Sequence, residues 1–245
     1  MEILGITFSM GVFAAMGLIF LGAFVQTSIG FGLAIVSAPL LFQISVDYVP
    51  GPIVLVALFI SMLSSFKHRS NIAIGGLKLA VYGRIPGSIL GGAILLYVSP
   101  ATISFTLGIF VLIAVVISLL PFRIEPTPRR MFSAGFLAGF MGTSSSIGGP
   151  PMALLLQHQE ANNLRANLSA FFVFSSIISL IVLMFIGAMS YKHLLLSLPL
   201  IPAAFFGYWS ATKLMPYIPR VWMHRTSLLM CSVSGVTAIL HSVHF

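Results

Sequence analysis

Gln26-Thr27-Ser28-Ile29-Gly30-Phe31-Gly32 and Thr143-Ser144-Ser145-Ser146-Ile147-Gly148-Gly149-Pro150-Pro151 are the stretches that decide the fold of this chain. Each lies where one apolar segment ends and another begins, and a shift of 116 residues superposes them without a gap. Under that shift Phe24, Thr27, Ser28 and Gly32 fall on Phe140, Thr143, Ser144 and Gly148. Ile85-Pro86, Gly91 and Pro100 fall on Ile201-Pro202, Gly207 and Pro216, and Asp47 meets its near-isostere Asn163. In a chain this apolar, such duplication predicts a membrane protein of two structural repeats, with its site where the repeats meet.

Composition sets the class. Of 245 residues only 7% are charged and 58% are hydrophobic, too few charges to cover a soluble domain of this size. Apolar runs recur along the whole length, which predicts a multi-pass α-helical membrane protein rather than a barrel of alternating strands. The first run follows only Glu2, without a basic leader, and is expected to be a retained helix. The net charge of +8 is carried by short loops, where cations set orientation against an anionic leaflet. No nucleic-acid motif accompanies them, so no nucleic-acid partner is expected. Cys231 is the single cysteine and reads as a small buried hydrophobe. No metal spacing exists among the six histidines, and neither a metal nor a cofactor is expected.

The apolar segments run over 4–27, 29–44, 50–66, 82–98 and 101–121, then 131–143, 147–157, 166–187, 199–214 and 224–243. A crossing needs about 20 apolar residues. Segments 131–143 and 147–157 are too short to cross singly, and together they read as a hairpin or broken helix with its tip at membrane depth. Residues 71–81 and 188–198 carry Lys78, Lys192 and His193, and read as short interfacial helices before the next spans. Pro86 and Pro202 are expected to begin equivalent helices.

Loop charges orient the chain. Lys67, Arg69 and Lys78 fall in one loop of the first half, with Arg84 at the start of the next span, whereas the loop at Ser99-Pro100 has no cation. In the second half the bias reverses: only Lys192 in the first equivalent loop, but Lys213, Arg220 and Arg225 in the second. Equivalent loops therefore face opposite sides, the signature of an inverted repeat. The expected fold is an all-α polytopic membrane domain with two inverted-topology repeats of about five helical segments each. Discontinuous helices or hairpins meet near the midplane. Repeat 1 spans 1–121 and repeat 2 spans 131–245, joined by a cytoplasmic linker 122–130 rich in proline (Pro121, Pro126, Pro128) and cation (Arg123, Arg129, Arg130). Both termini are then outside the inner, or cell, membrane.

Glycine permits a sharp turn, and proline suits the first turn of a helix, so Pro150 or Pro151 is expected to open a half-helix. A helix N-terminus carries partial positive charge and unpaired donors. The hydroxyls of Thr27, Ser28, Thr143, Ser144, Ser145 and Ser146 add donors without charge. Gln26, Gly30, Gly32, Gly148 and Gly149 complete the candidate substrate-binding set. Small residues also line ordinary helix contacts in membranes, and the same pattern fits that bland role. Arg84 and Arg165 are candidate cavity-mouth cations, although arginines at span ends commonly anchor to headgroups. The acidic residues Glu2, Asp47, Glu125 and Glu160 all fall in loops or at ends, which disfavours a carboxylate-centred cation site.

At the two turns the sequence resembles the TauE/SafE family of sulfite and organosulfonate exporters. The resemblance rests on Thr27-Ser28-Ile29-Gly30-Phe31-Gly32 followed by Pro39-Leu40-Leu41, and on Gly139-Phe140-Met141-Gly142 leading to Gly148-Gly149-Pro150-Pro151. Lys67-His68-Arg69 before Gly87-Ser88-Ile89-Leu90-Gly91-Gly92 adds to it. Phe31 and Leu33 interrupt the glycine run that the family carries at the first turn. The resemblance implies export of a small anion, sulfite or a small organosulfonate, and the two repeats lead to the expectation of a secondary transporter working by alternating access.

The partners expected are that anionic substrate, the bilayer, and a second copy in a possible homodimer. A channel, or an uptake permease for another small organic solute, is the alternative reading. An intramembrane enzyme built on Ser144 has no base beside it in sequence. A membrane scaffold is the bland remainder.

Overall fold

The computed structural model describes residues 2–3, 6–7, 10–119, 124–215, 217 and 220–242. Pro121, Arg123 and Pro216 lie outside the described residues, as do the side chains of Arg220, Arg225 and Cys231. A two-residue strand pair, β1 (Glu2–Ile3) and β2 (Ile6–Thr7), precedes a chain of helices. The first half holds α1 (Met10–Ile29), α2 (Leu33–Ile44), α3 (Gly51–Lys67), α4 (Ile74–Leu95) and α5 (Pro100–Leu119). The second half holds α6 (Pro128–Ser145), α7 (Gly149–Leu156), α8 (Ala161–Phe185), α9 (Tyr191–Ser197), α10 (Leu200–Leu214) and α11 (Arg220–Ser242). Four stretches among the described residues are long and apolar enough to cross a membrane: Met10–Ile29, Val46–Lys67, Ala161–Phe185 and Tyr191–Leu214.

The duplication reaches the helix breaks. α1 ends at Ile29 and α6 at Ser145, and α2 begins at Leu33 and α7 at Gly149. Both breaks are thus separated by the 116-residue shift read from the sequence. At equivalent positions each break uses a residue of positive φ, Gly30 (96°) and Ser146 (65°). That conformation turns the chain out of the helix.

Three expectations need correction. Residues 71–81 and 82–98 are not an interfacial helix followed by a span, because α4 is continuous from Ile74 to Leu95. Pro86 therefore does not begin a helix. It sits inside α4, where it withholds one backbone donor from the carbonyl one turn earlier. Lys78 and Pro86 interrupt the apolar run, but the glycine-lined packing described next carries the helix through both. In the second half α9 and α10 are separate helices, and Pro202 lies in the first turn of α10, as expected. The segment at 131–143 is also longer than expected. Thr127 caps α6, its hydroxyl accepting from the Arg130 amide, and Pro128 sits in the first turn. The helix then runs 18 residues to Ser145, about 27 Å at 1.5 Å per residue.

Packing is reciprocal between halves. Along α4, Gly83, Gly87 and Gly91 lie against the carbonyl oxygens of Phe132, Phe136 and Phe140 on α6. Gly135 and Gly139 of α6 lie against the carbonyls of Ala80 and Arg84. The ascending pairs make α4 and α6 parallel, so close that a Cβ at any of these glycines would overlap backbone. The elements equivalent to α6 and α4 are α1 and α10, and these also pack together, with Gly207 against the Phe20 carbonyl. α3 and α8 run antiparallel. The start of α3 at Gly51 meets Met189 and His193, just beyond the end of α8. Beyond the other end of α3, Asn71 donates to Asn163 in the first turn of α8 at 3.0 Å.

Two apolar cores result, one around α1, α2, α3, α5 and α10, the other around α4, α6, α7 and α8. The break residues link them. Ile147, between α6 and α7, is buried in the first core, and its equivalent Phe31 packs against both.

Candidate functional site

A cavity of about 50 Å³ lies between the two breaks, space for a few water-sized groups. Gln26, Gly32, Ala34 and Ile35 line it from the end of α1 and the first turn of α2. Gly142, Ser146, Ile147, Gly148 and Gly149 line it from α6 and the start of α7. Val54 and Ala57 of α3, Phe172, Ser175 and Ser176 of α8, and Arg84 of α4 close the sides. Arg84 and the α8 residues sit about midway along their helices. The N-terminal turns of α2 and α7 therefore converge on one small space in the middle of the fold.

The two helix starts are not equal donors. The first turn of an α-helix leaves its leading amides without intrahelical partners. In α2 the first return bond is Val36 N to the Gly32 carbonyl at 3.0 Å, so the amides of Leu33, Ala34 and Ile35 precede the ladder. α7 opens at Gly149 with Pro150 as its second residue, so a proline stands at the helix start as expected. Pro150 and Pro151 have no N–H, so this helix brings fewer donors to the cavity.

Arg84 dominates the electrostatics. It is 2% exposed. Its Nε donates to the Ser175 carbonyl at 3.1 Å, Nη1 to the Ala138 carbonyl at 2.6 Å, and Nη2 to Ser179 Oγ at 2.8 Å. Its guanidinium carbon lies 5.8 Å from the Phe171 ring centroid, a cation–π contact. Three carbonyl or hydroxyl acceptors fix the side chain but supply no countercharge. Asp47 pairs with Lys192 (2.6 Å) and His193 (3.9 Å), whereas none of the groups that Arg84 bonds to is a carboxylate. Glycine makes room for it. A Cβ on Gly142 would lie 2.7 Å from Nη2, and one on Gly148 3.1 Å from Nη1. Under the repeat, Gly142 is the equivalent of Gln26, so one turn offers an amide side chain where the other leaves space for a guanidinium.

Of the sequence candidates, Gln26, Gly32, Ser146, Gly148, Gly149 and Arg84 come together at the cavity. Arg84 is buried and lies about midway along α4. The remaining hydroxyls mostly face their own helices. Thr27 donates to the Ala23 carbonyl and Ser28 to that of Phe24, both at 2.7 Å. Ser144 donates to the Phe140 carbonyl at 2.7 Å and Ser145 to that of Met141 at 2.6 Å. Thr143 Oγ1 shares a 2.8 Å hydrogen bond with Ser179 Oγ, which places it behind Arg84. Ser146 Oγ donates to the Pro50 carbonyl at 3.2 Å, and Gln26 Nε2 to Ser61 Oγ at 3.3 Å. Gly30 packs on Arg165 and Leu168. Arg165 is buried too, its Nε and Nη2 both donating to the Ser28 carbonyl at 3.0 and 2.7 Å. Both guanidiniums bond to protein acceptors.

Gly142, Phe172, Ser175, Ser176 and Ser179 were not among the sequence candidates. The serines recur on one face of α8 at spacings of three and four, a signal that was present in the sequence. Gly142 stood in the motif that carries the resemblance, but only the arrival of Arg84 gives its missing side chain a purpose.

A helical chain with several stretches able to cross a membrane, packed around a small internal cavity, is a multi-pass membrane protein. The chain belongs to the sulfite exporter TauE/SafE family, whose family model matches residues 15–238. No curated protein and no solved structure matches the chain.

Proposed function

We propose that the chain is a secondary transporter that binds a small oxyanion against Arg84 and exports it by alternating access, with sulfite or a small organosulfonate as substrate. The observation that carries this reading is the buried guanidinium without a carboxylate, in a cavity lined by two helix N-termini. An unneutralised buried charge is costly, and an anion that enters the cavity removes that cost. Helix N-termini favour the same sign of ligand. Family membership supports sulfite or a sulfonate as that anion.

The repeats, 1–121 and 131–245, are inverted in this reading. The antiparallel run of α3 and α8, the coincident breaks and the reciprocal pairs α4–α6 and α1–α10 support it. Each repeat then makes an odd number of crossings, either five or three with a re-entrant pair, with the linker in the cytoplasm and both termini outside the inner membrane. Rocking of one repeat against the other exposes the cavity to each side in turn.

The test is transport by proteoliposomes loaded with labelled sulfite, sulfoacetate, taurine, sulfate or chloride. Saturable efflux of sulfite or a small sulfonate, with no single-channel current, is expected. No efflux of any anion, or ohmic currents, would overturn the reading.

A further inference from the structure

A second set of cations lies on the other side of the first turn. α3 ends at Lys67, with His68 as its cap, and Arg165 sits in the second turn of α8. Two hydrogen bonds hold these helix ends side by side. Asn71 donates to Asn163 at 3.0 Å, and the Ala73 amide donates to Asn167 Oδ1 at 2.8 Å. Lys67 makes no ion pair among the described residues. Arg165 clamps the Ser28 carbonyl, and Gly32, four residues further, already lines the Arg84 cavity. The glycine-rich turn thus lies between the Arg165 guanidinium and the Arg84 cavity.

We propose that Lys67, His68 and Arg165 form a loading station for the transported oxyanion, from which it passes the first turn to reach Arg84. The station rests on the transport reading above. The anion docks first between the two cations, Lys67 and Arg165, on the linker face, with the His68 imidazole beside them. Arg165 then exchanges the Ser28 carbonyl for an anion oxygen. Release of that carbonyl frees the turn, because Gly30 and Gly32 already hold positive φ and can rotate without a side-chain barrier. The proximity of the three groups is also felt by His68. Its pKa lies below the usual 6.5 through burial first, then the charges of Lys67 and Arg165.

The station makes a kinetic prediction that a packing role does not. A cationic mouth raises the capture rate of an anion and is weakened by salt, while leaving the inner site's affinity alone. Sulfite transport from the linker face should be measured in proteoliposomes of one orientation, for wild type and for the double variant Lys67→Ala/His68→Ala. The expected result is a fall of about threefold to tenfold in the rate at low sulfite, with a flatter salt dependence. The saturated rate, and the sulfite concentration that half-protects against thermal unfolding, stay within about twofold. Arg165→Lys should slow loading at the same face. An unchanged low-sulfite rate, or an equal loss from both faces, would overturn the station while leaving the transporter intact. Failure of the wild type to move any anion would overturn both.

Discussion

Single residues decide what the cavity can hold. Gly142 and Gly32 both line it, but a methyl group would act differently at each. At Gly142 the methyl meets only the tip of Arg84, and the position is helical. Gly142→Ala should cost about 1–3 kcal/mol of stability, since the hydrogen bonds that the displaced guanidinium gives up outweigh alanine's helix propensity. It should weaken anion binding about tenfold or more by displacing the guanidinium, as read by equilibrium binding. Gly32 has φ of 120° and Val25 Cγ1 at 2.9 Å from the added atom. Gly32→Ala should therefore cost about 1–3 kcal/mol of stability, seen as a lower melting temperature in detergent.

His68 gives the pH dependence at this scale. Its folded pKa is depressed, so the unfolded chain binds the proton more readily. Stability is full above 6.5 and is lost as pH falls from there through the folded value. His68→Gln should flatten the melting temperature between about pH 7 and pH 5. An equally steep decline in the variant would assign the acid loss to another group.

The elements show how far the sequence could be read. The breaks at 29–33 and 145–149 were legible because glycine, hydroxyl and proline residues recur at a fixed shift. The continuity of α4 was not, because Lys78 and Pro86 look like an interface and a helix start. What holds α4 straight is tertiary: its glycines lie on α6 carbonyls, and that information is spread over two distant segments. The same misreading put Arg84 at a span end, when it is a mid-helix residue. The hydroxyls were legible as polar but not in direction, since most return to carbonyls one turn back. The helix pair offers a direct check. Gly87→Ala would push a methyl into the Phe136 carbonyl and should destabilise by about 1–3 kcal/mol. Gly75→Ala, with open space around it, should not lower the melting temperature. Equal effects would mean that the α4–α6 contact is not tight.

At the scale of the molecule, the antiparallel α3 and α8 carry one tie at each end. Asp47 meets Lys192 at one, and Asn71 meets Asn163 at the other. The ionic tie is largely exposed, and its loss should change stability by less than about 1 kcal/mol. The ties would report motion, since the proposed rocking of one repeat against the other requires them to separate alternately. Cysteine pairs at 47/192 or at 71/163, in a Cys231→Ser background and joined by a short bifunctional reagent, should each stop turnover. Equilibrium sulfite binding should survive from the face left open. Undiminished turnover with both pairs joined would exclude a rocking mechanism.

Sulfite-dependent protection against thermal unfolding, compared between wild type and Arg84→Gln in detergent, tests most directly whether an anion sits against the buried guanidinium. A charge-assisted contact of about 1.5–3 kcal/mol corresponds to about 10- to 100-fold in affinity. Wild type should gain melting temperature with rising sulfite, and Arg84→Gln should need about 10- to 100-fold more for the same gain. Equal protection of the two proteins would place the anion elsewhere and leave Arg84 a structural residue.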